Sequence, residues 1–364
     1  MAILALVVVL FLSACSDDKI KPEVQSIDEV ANRFIEETHY PGLSIAIYKN
    51  SETVFSHSYG YSDIHLKTPF SSDEVLALGS NVKTLVAASI LLLEESNKLK
   101  LTDKVNQHLP FKLRQENGVT IKDMLCHVSD LPDVFGGESF ENYSWQKAIS
   151  QKEFIDKLNE NNEQISPRTE YRYNNTAYFL LGLVIEHISN QPLGDYFRER
   201  LFSPLQIDQA YYLADSYYYP QLAKMYEIDG NDALDYEDPV DYRVVAGAGA
   251  LGGNISSYSK LFSGILAGSI LSEKSKAKMK IPCKLADGTF AINTKNQKTG
   301  LGVEITETDA GIIYSRGGAM NGHVSAVYHF EKAGLTLAIV GNAFMPLSGV
   351  LDTIVENNLY QQFN

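Results

Sequence analysis

Ser80 and Lys83 stand three residues apart, directly before an apolar stretch, residues 84–93, that predicts a buried helix. Residues i and i+3 share one face of a helix, so we expect Lys83 to reach the Ser80 hydroxyl. A serine hydroxyl is a weak nucleophile that needs a neighbouring base, and burial lowers the pKa of a lysine so that it can accept the proton. The pair therefore predicts nucleophilic catalysis. The alternative is a helix cap followed by a surface lysine.

Tyr173-Asn174-Asn175 precedes a second apolar helical stretch, residues 177–188. A tyrosine beside a cation ionises more easily than usual and can relay protons. Asn175 could bind a substrate amide through both ends of its side chain. The alternative for Tyr173 is an aromatic residue that only fills space in the core.

A third group, Tyr314-Ser315-Arg316-Gly317-Gly318-Ala319, lies at the end of a predicted strand. Gly317 and Gly318 would let a substrate backbone lie against that strand. Arg316 could hold a substrate carboxylate, and the backbone N–H groups here could face a developing oxyanion. The alternative is a strand-to-turn transition that carries a surface arginine.

The elements around these groups follow patterns typical of helices and strands. A helix is predicted over residues 23–38, a hairpin over 43–59, strands over 300–340 and a last helix over 348–360. Strands at both chain ends with helices between them indicate an α+β protein. We expect one sheet built from both chain ends, with an inserted all-helical lobe at about 98–236.

The three groups, in this order, resemble the serine β-lactamase and penicillin-binding-protein family, closest to its class C-like branch. That branch includes D-alanyl-D-alanine carboxypeptidases, D-aminopeptidases and esterases. The likeness runs from about residue 27 to the C-terminus and includes Gly60-Tyr61-Ser62-Asp63, Leu101 to Val105, Leu109-Pro110, Thr120 to Leu125, His127, Ser129, Leu131-Pro132, Leu180-Leu181-Gly182, Pro204-Leu205 and Gly300-Leu301-Gly302. The resemblance implies an antiparallel sheet flanked by helices, with the site in the cleft between the two lobes.

The resemblance implies a catalytic role for three residues. Ser80 would be the nucleophile that becomes acylated, and Lys83 would be its activating partner. Tyr173 would pass the proton to the leaving group and help to activate water. The expected substrates are small molecules or peptides with an amide or ester bond, such as D-alanyl peptides, β-lactams or esters. This chemistry needs no cofactor and no metal.

The resemblance also implies substrate-binding groups. Asn175 would position the substrate amide, and Arg316-Gly317-Gly318 would take the place of a motif that is usually Lys-Thr-Gly or His-x-Gly. The backbone N–H groups of Ser80 and Ala319 would form the oxyanion hole. Two departures leave the substrate open: Arg316 keeps the positive charge but not the commoner residue, and Asp130 stands where glycine is usual.

A non-catalytic function is the alternative on the same scaffold. Such a lipoprotein would bind or sense cell-wall peptides or β-lactams, or would become acylated and stall. The presence of Ser80, Lys83 and Tyr173 favours an enzyme. The chain has no Gly-x-Ser-x-Gly elbow and no His-Glu-x-x-His motif, so neither an α/β-hydrolase triad nor that zinc site is supported.

Composition and charge exclude further classes of function. The chain has 364 residues, of which 45% are hydrophobic and 21% charged, as in ordinary globular proteins. Its formal net charge of −14 repels phosphate backbones, so no nucleic-acid partner is expected. The acidic segment 227–241 does not match a calcium loop and is predicted to be a solvated loop. Nothing in the sequence indicates an oligomeric state.

The N-terminus predicts export. Residues 2–14 are almost entirely apolar, too short to span a bilayer and typical of a signal-peptide core. Leu12-Ser13-Ala14-Cys15 resembles a bacterial lipoprotein signal, which implies cleavage before Cys15 and lipidation of that cysteine. We therefore expect a protein anchored by lipid to a membrane of the bacterial cell envelope and facing the periplasm. The expected parts are a signal peptide at 1–14, a lipidated tether at 15–22 and the hydrolase domain at 23–364.

Two further cysteines, Cys126 and Cys283, leave their redox state open. An exported chain could join them, but their separation in sequence says nothing about their distance in the fold. The expected state is two buried free thiols.

Overall fold

A computed structural model describes residues 26–114, 118–135, 147, 149–161, 164–215, 221–230, 232–236, 240–309 and 311–363. The predicted signal peptide 1–14, the tether 15–22 and Cys15 lie outside this range. Their cleavage and lipidation stay predictions, which the mass of the mature N-terminus would test. Among the described helices, none combines the length and the apolar character needed to cross a bilayer.

The described residues form nine α-helices. These are α1 Ile27–Thr38, α2 Val82–Glu95, α3 Ile121–Leu125, α4 Gln151–Glu160, α5 Asn175–Ser189, α6 Leu193–Phe197, α7 Ile255–Leu266, α8 Glu273–Lys280 and α9 Ser348–Glu356. Six of them begin after a Ser, Thr or Asn whose side chain accepts a hydrogen bond from a backbone N–H of the first turn. Helix α2 has no such cap, because the Asn81 side chain before it bonds to other elements.

Within the described part of the chain, thirteen strands form one large sheet and two small ones. The strands are β1 Gly42–Lys49, β2 Glu52–Asp63, β3 Thr68–Pro69, β4 Leu76–Gly79, β5 Ala210–Tyr212, β6 Tyr226–Asp229, β7 Asp232–Asp235, β8 Leu251–Gly253, β9 Lys298–Thr299, β10 Glu304–Thr308, β11 Gly311–Met320, β12 His323–Phe330 and β13 Leu335–Gly341. The large sheet has the order β3-β2-β1-β13-β12-β11-β10-β9, and every neighbouring pair is antiparallel. Strand β1 pairs with β13, which confirms a sheet built from both chain ends.

Helices cover both faces of the large sheet. On β13, Leu337 and Ile339 pack with α1 and α9 on one face, whereas Ala338 and Val340 pack with α2 and α7 on the other. Successive side chains of a strand point to opposite faces, so a strand covered on both sides is apolar at every position. This explains why every residue of β13 is buried and why all but Thr336 are apolar or glycine. Helix α2 lies between the sheet and the helical lobe, and residues 82–93 are all buried.

The predicted α+β class and the helices and strands expected at both chain ends are confirmed. The segment 98–236 contains α3 to α6, but it also contributes three short strands near its end, β5, β6 and β7. The predicted loop over 227–241 is wrong for residues 227–235, where β6 pairs with β7 as a hairpin that starts at the buried Tyr226. The acidic residues Glu227, Asp229, Asp232 and Asp235 are exposed to solvent, as expected.

The prediction of two free thiols is also wrong. Cys126 at the end of α3 and Cys283 after α8 form a disulfide, with Cα atoms 5.9 Å apart. The two cysteines are 157 residues apart in sequence. A hydrogen bond from the Ala286 N–H to the Arg168 carbonyl holds the two regions together nearby. Only this long-range packing brings the thiols into bonding distance.

Candidate active site

Ser80 lies in the tight turn that joins β4 to α2. Gly79 has φ of +53°, a conformation that glycine adopts without strain. Asn81 holds the turn from inside the core. Its amide nitrogen donates to the Leu78 carbonyl at 2.9 Å and to Ser325 Oγ at 2.8 Å, and its oxygen accepts from the Tyr258 hydroxyl at 2.7 Å. The serine is thus fixed on a rigid turn between two buried elements.

Lys83 is fully buried and its ammonium contacts Ser80. Its Nζ lies 3.1 Å from Ser80 Oγ, 2.8 Å from Asn175 Oδ1 and 2.5 Å from the Ala248 carbonyl oxygen. Burial lowers the pKa of Lys83, the Tyr173 phenol opposes that shift, and the nearby Arg316 charge adds to it. The amine can therefore lose its proton more readily than an exposed lysine, as its use as a base requires.

Tyr173 reaches Ser80 from the turn before α5. Its hydroxyl lies 2.8 Å from Ser80 Oγ, and 40% of the residue remains exposed. The Lys83 ammonium lies 4.9 Å and the Arg316 guanidinium 5.5 Å from the centre of its ring. Burial of the hydroxyl favours the neutral phenol, but these two cations outweigh that effect and lower the pKa of Tyr173.

His127 supports the Tyr173 ring from behind. The two rings stack with centroids 4.6 Å apart, and His127 Nδ1 accepts a hydrogen bond from the Asn174 N–H at 3.0 Å. This bond assigns the proton of a neutral imidazole to Nε2. Burial lowers the pKa of His127 well below its usual value, so the ring stays uncharged beside Arg316 and Lys83.

Asn175 is the first residue of α5 and links two charged groups. Its Oδ1 accepts from Lys83, and its Nδ2 donates to Asp133 Oδ2 at 3.3 Å. The Asp133 carboxylate also accepts from the Asn175 and Thr176 N–H groups, where a negative charge at a helix N-terminus is favourable. An amide nitrogen carries two hydrogens, and only one is used by Asp133. The other is available for a substrate oxygen.

Arg316 lies on β11 and is 2% exposed, so the alternative of a surface arginine is wrong. Its Nη1 donates to Glu304 Oε1 at 2.8 Å, and its Nη2 lies 3.2 Å from the Tyr173 hydroxyl. Its Nε lies 3.4 Å from the Ser80 carbonyl oxygen. Arg316 thus joins the serine turn and the tyrosine to Glu304, the first residue of strand β10.

Gly318 brings β11 close to the serine turn. A Cβ atom at this position would lie 2.0 Å from the Leu78 carbonyl oxygen and 2.5 Å from Asn81 Nδ2, so no larger residue fits. On the same strand, the Ala319 backbone lies against Gly79, where an added Cβ would meet the Ala319 nitrogen at 2.8 Å. The two backbone groups predicted to form the oxyanion hole, those of Ser80 and Ala319, therefore belong to adjoining segments.

These residues line one open cleft of about 1320 Å³. Ser80, Tyr173, Arg316 and the strand 316–319 line one side of it. Two loops complete the walls: residues 293–297, and residues 344–348, which include the exposed Phe344. The wall formed by the second loop is apolar, so the cleft offers a substrate both polar and apolar contacts.

The structure brings the predicted residues Ser80, Lys83, Tyr173, Asn175 and Arg316 together, and Gly317, Gly318 and Ala319 lie beside them on β11. Their roles in a reaction stay predictions. Cys15, the predicted lipidation site, lies outside the described residues.

Four residues of the site escaped the sequence analysis as participants: Ala248, Asp133, Glu304 and His127. Only His127 had a signal, since it belongs to a segment that resembles the family. Glu304 contacts Arg316 because β10 pairs with β11 in a register that sets Glu304 opposite Ser315. No local pattern reports such a register.

Asp130, which departs from the family pattern, has a structural explanation. Its φ of 56° falls in the left-handed region, which glycine and aspartate tolerate better than most residues. Its carboxylate accepts from the Ser166 N–H at 2.7 Å and from Arg172 Nη1 at 3.0 Å. The aspartate therefore tolerates the left-handed backbone of that position, and its carboxylate links its own loop to the segment that contains Ser166 and Arg172.

The fold and the site define an α+β protein in which a buried lysine contacts a serine, and that serine and a tyrosine line an open cleft. A family model described as Beta-lactamase matches residues 27–358, and the chain belongs to this family.

Two relatives illustrate the family at the level of sequence. The chain is 29% identical over 213 residues to Protein flp of Staphylococcus aureus (strain MW2), which covers 57% of this chain and 42% of that protein. It is 28% identical over 277 residues to Unguisins hydrolase ungD' of Aspergillus campestris, covering 69% and 48%. The chain thus spans about half or less of the length of these curated relatives.

Two solved structures share the fold. The D-amino acid amidase from Ochrobactrum anthropi SV3 in complex with L-phenylalanine is 22% identical, with a TM-score of 0.79 over 92% of this chain and 98% of that one. The octameric penicillin-binding protein homologue from Pyrococcus abyssi is 21% identical, with a TM-score of 0.77 over 92% and 77%. The fold of this chain is therefore that of β-lactamase-like and penicillin-binding-protein-like hydrolases.

Proposed function

We propose that this protein is a serine hydrolase that cleaves amide or ester bonds through an acyl-enzyme at Ser80. The observation that carries the proposal is the position of two proton-transfer groups, Lys83 Nζ at 3.1 Å and the Tyr173 hydroxyl at 2.8 Å, around one serine oxygen. Family membership, the name of one sequence relative, a hydrolase, and that of one structural neighbour, an amidase, support the same class. D-alanyl peptides, β-lactams and esters are the proposed substrates.

The proposed reaction has two halves. In the first, Ser80 Oγ bonds to the carbonyl carbon while its proton passes to Lys83, and Tyr173 delivers a proton to the leaving group as that bond breaks. In the second, water attacks the acyl-enzyme, loses its proton to Tyr173 or Lys83, and releases the acid with Ser80 restored. The N–H groups of Ser80 and Ala319 would stabilise the oxyanion in both halves.

A hydrolysis screen tests this proposal. We expect wild-type protein to hydrolyse at least one of four substrate types: a D-alanyl-D-alanine peptide, a penicillin, a D-amino acid amide or a short p-nitrophenyl ester. A fluorophosphonate should add once to the chain, on Ser80, as measured by intact mass and peptide mapping. Ser80→Ala should abolish the adduct and reduce kcat by about 10⁴-fold or more.

The Ser-x-x-Lys pair at Ser257 and Lys260 supplies a matched control. Ser257→Ala changes the same motif on an element away from the cleft and should keep full activity. Hydrolysis that survives Ser80→Ala would refute the proposal. An adduct on Ser80 that never releases free protein would favour the alternative, a lipoprotein that binds or senses its ligand without turnover.

A further inference from the structure

Arg316 is already neutralised within the protein. Its guanidinium is 2% exposed and donates to Glu304 Oε1 at 2.8 Å, and the Glu304 side chain is 14% exposed. A buried arginine and carboxylate at this distance hold each other strongly, because the surrounding protein screens their attraction less than water does. Glu304 therefore offsets much of the attraction that Arg316 would exert on a substrate carboxylate in the cleft.

The contacts of Arg316 also restrict its geometry. Its Nη2 faces the Tyr173 hydroxyl at 3.2 Å and its Nε faces the Ser80 carbonyl oxygen at 3.4 Å. An incoming carboxylate binds an arginine best through two parallel N–H groups. Three of its five N–H groups already face protein oxygens, so a substrate carboxylate that binds through two parallel N–H groups competes with Glu304 or Tyr173.

Glu304 itself lines the cleft beside Arg316, so the pair presents no net positive charge to a substrate carboxylate. The described residues that line the cleft include more carboxylates than cations. The four carboxylates are Asp130, Asp133, Glu304 and Asp352, and the three cations are Arg172, Lys295 and Arg316.

Neither of the other two cations offers a buried site for an anion. The Arg172 side chain is paired with Asp130 at 3.0 Å and with Glu170 at 2.8 Å. Lys295 is exposed on the outer loop, where solvent screens its charge.

We propose that the site selects substrates that carry no carboxylate beside the scissile bond, such as esters and carboxamides, and that Glu304 sets this preference by neutralising Arg316. This inference rests on the proposed hydrolase function and specifies its substrate class. Glu304 acts through Arg316 and is a specificity-determining residue rather than a catalytic one. The expectation that Arg316 binds a substrate carboxylate is replaced by the opposite preference.

Two isosteric aryl acetates test the proposal. In 3-acetoxybenzamide and 3-acetoxybenzoate the leaving group carries either a carboxamide or a carboxylate of nearly the same size. For each, kcat/KM is divided by the rate constant for hydroxide hydrolysis, which removes the intrinsic difference in reactivity. We expect the wild type to favour 3-acetoxybenzamide. In Glu304→Gln the ratio of the two normalised kcat/KM values should shift toward 3-acetoxybenzoate by about tenfold or more.

Glu307→Gln is the matched control. Glu307 lies on the same strand and forms a salt bridge with Lys298 at 2.7 Å, with a side chain that is 65% exposed. We expect this variant to keep the wild-type ratio. Fluorophosphonate labelling of Ser80 in each variant verifies that the site is folded. The boronic acids 3-carbamoylphenylboronic acid and 3-carboxyphenylboronic acid should protect Ser80 from that label to different extents, which measures the same preference without turnover.

Three outcomes contradict the proposal in distinguishable ways. A wild-type preference for the carboxylate overturns the inference and leaves the hydrolase function intact. If Glu304→Gln leaves the ratio of the two normalised kcat/KM values unchanged although its Ser80 is labelled, the inference is likewise overturned and the hydrolase function stays intact. Absence of both hydrolysis and labelling in the wild type instead refutes the proposed function, and the inference with it.

Discussion

Lys83 and Arg316 are two buried cations on either side of the Tyr173 phenol. Burial and the neighbouring guanidinium lower the pKa of Lys83, while Lys83 and Arg316 together outweigh burial and lower the pKa of Tyr173. Each shift moves proton release toward neutral pH. At the scale of single residues, the two groups that contact Ser80 Oγ, Lys83 and Tyr173, are therefore prepared to act as the base, and no described histidine contacts that oxygen.

The first prediction concerns the pH dependence of acylation. Because the proposed base acts in its deprotonated form, the acylation rate should rise with pH and level off below the ordinary pKa values of lysine, 10.5, and tyrosine, 10.0. Lys83→Met should lower kcat/KM by about 10²–10⁴-fold and flatten this rise. The measurement is kcat/KM for a neutral ester across pH 5 to 10 (roughly the range over which these groups titrate).

Lys276→Met provides the control for the loss of a largely buried lysine. Lys276 lies on α8, is 7% exposed and donates to the Gly268 carbonyl oxygen at 2.8 Å. It should retain the wild-type pH profile, and a thermal melt would establish that both variants fold. An unchanged pH profile in Lys83→Met would show that Lys83 is not the base.

At the scale of elements, His323 joins three segments. It begins β12, its Nδ1 accepts from the Ala77 N–H of β4 at 3.0 Å, and its Nε2 lies 3.1 Å from the Ala223 carbonyl oxygen. Burial lowers the pKa of His323 to about 4. The neutral ring therefore ties the serine-bearing strand to the large sheet, and a proton on Nδ1 would remove the acceptor that β4 uses.

The second prediction follows from this shift. The folded state disfavours the protonated ring, so its contribution to stability is complete above the unfolded pKa of 6.5 and is lost as pH falls toward 4. From pH 7 to pH 5 this histidine alone should lower the free energy of unfolding by about 2 kcal/mol. Urea unfolding at the two pH values measures the loss.

A variant isolates the contribution of His323 from other groups that titrate. His323→Gln should be less stable at pH 7 but should lose about 2 kcal/mol less than the wild type between pH 7 and pH 5. His187→Gln, which replaces an exposed histidine on α5, should keep the wild-type pH dependence. An equal loss in all three proteins would mean that His323 does not control acid stability.

At the scale of the whole molecule, the Cys126–Cys283 disulfide joins the helical lobe to the segment between α8 and β9. It closes a span of 157 residues, and one end adjoins His127, which stacks on Tyr173. A covalent link over so long a span restricts the unfolded chain strongly in the chain-entropy account. The same link holds the base of the turn that carries the catalytic candidate Tyr173.

The third prediction is that loss of this disulfide destabilises the protein. Cys126→Ala with Cys283→Ala should lower the free energy of unfolding by about 2–4 kcal/mol, measured by urea unfolding without reductant. A reductant should destabilise the wild type and leave the double variant unchanged. Cys15→Ser serves as the control for the third cysteine, and equal stability of the double variant and the wild type would contradict the prediction.

The sequence alone predicted the features that depend on neighbours along the chain. Ser80 and Lys83 are one helical turn apart, so their contact follows from helix geometry once the apolar stretch predicts α2. Apolar periodicity likewise located α1, α5 and the hairpin of β1 and β2. The ordered motifs around Tyr173 and Arg316 then indicated the family, because a fold constrains many short segments at once.

Only the tertiary structure decided the features that join distant segments. The Arg316–Glu304 pair depends on the register of β10 against β11, and the disulfide depends on packing across 157 residues. Tyr226, the first residue of the β6–β7 hairpin, is buried and pairs with Ala343. The local pattern of charged residues does not indicate this distant contact. Such contacts arise from side chains that meet only after the chain has folded, so no pattern of neighbouring residues reports them.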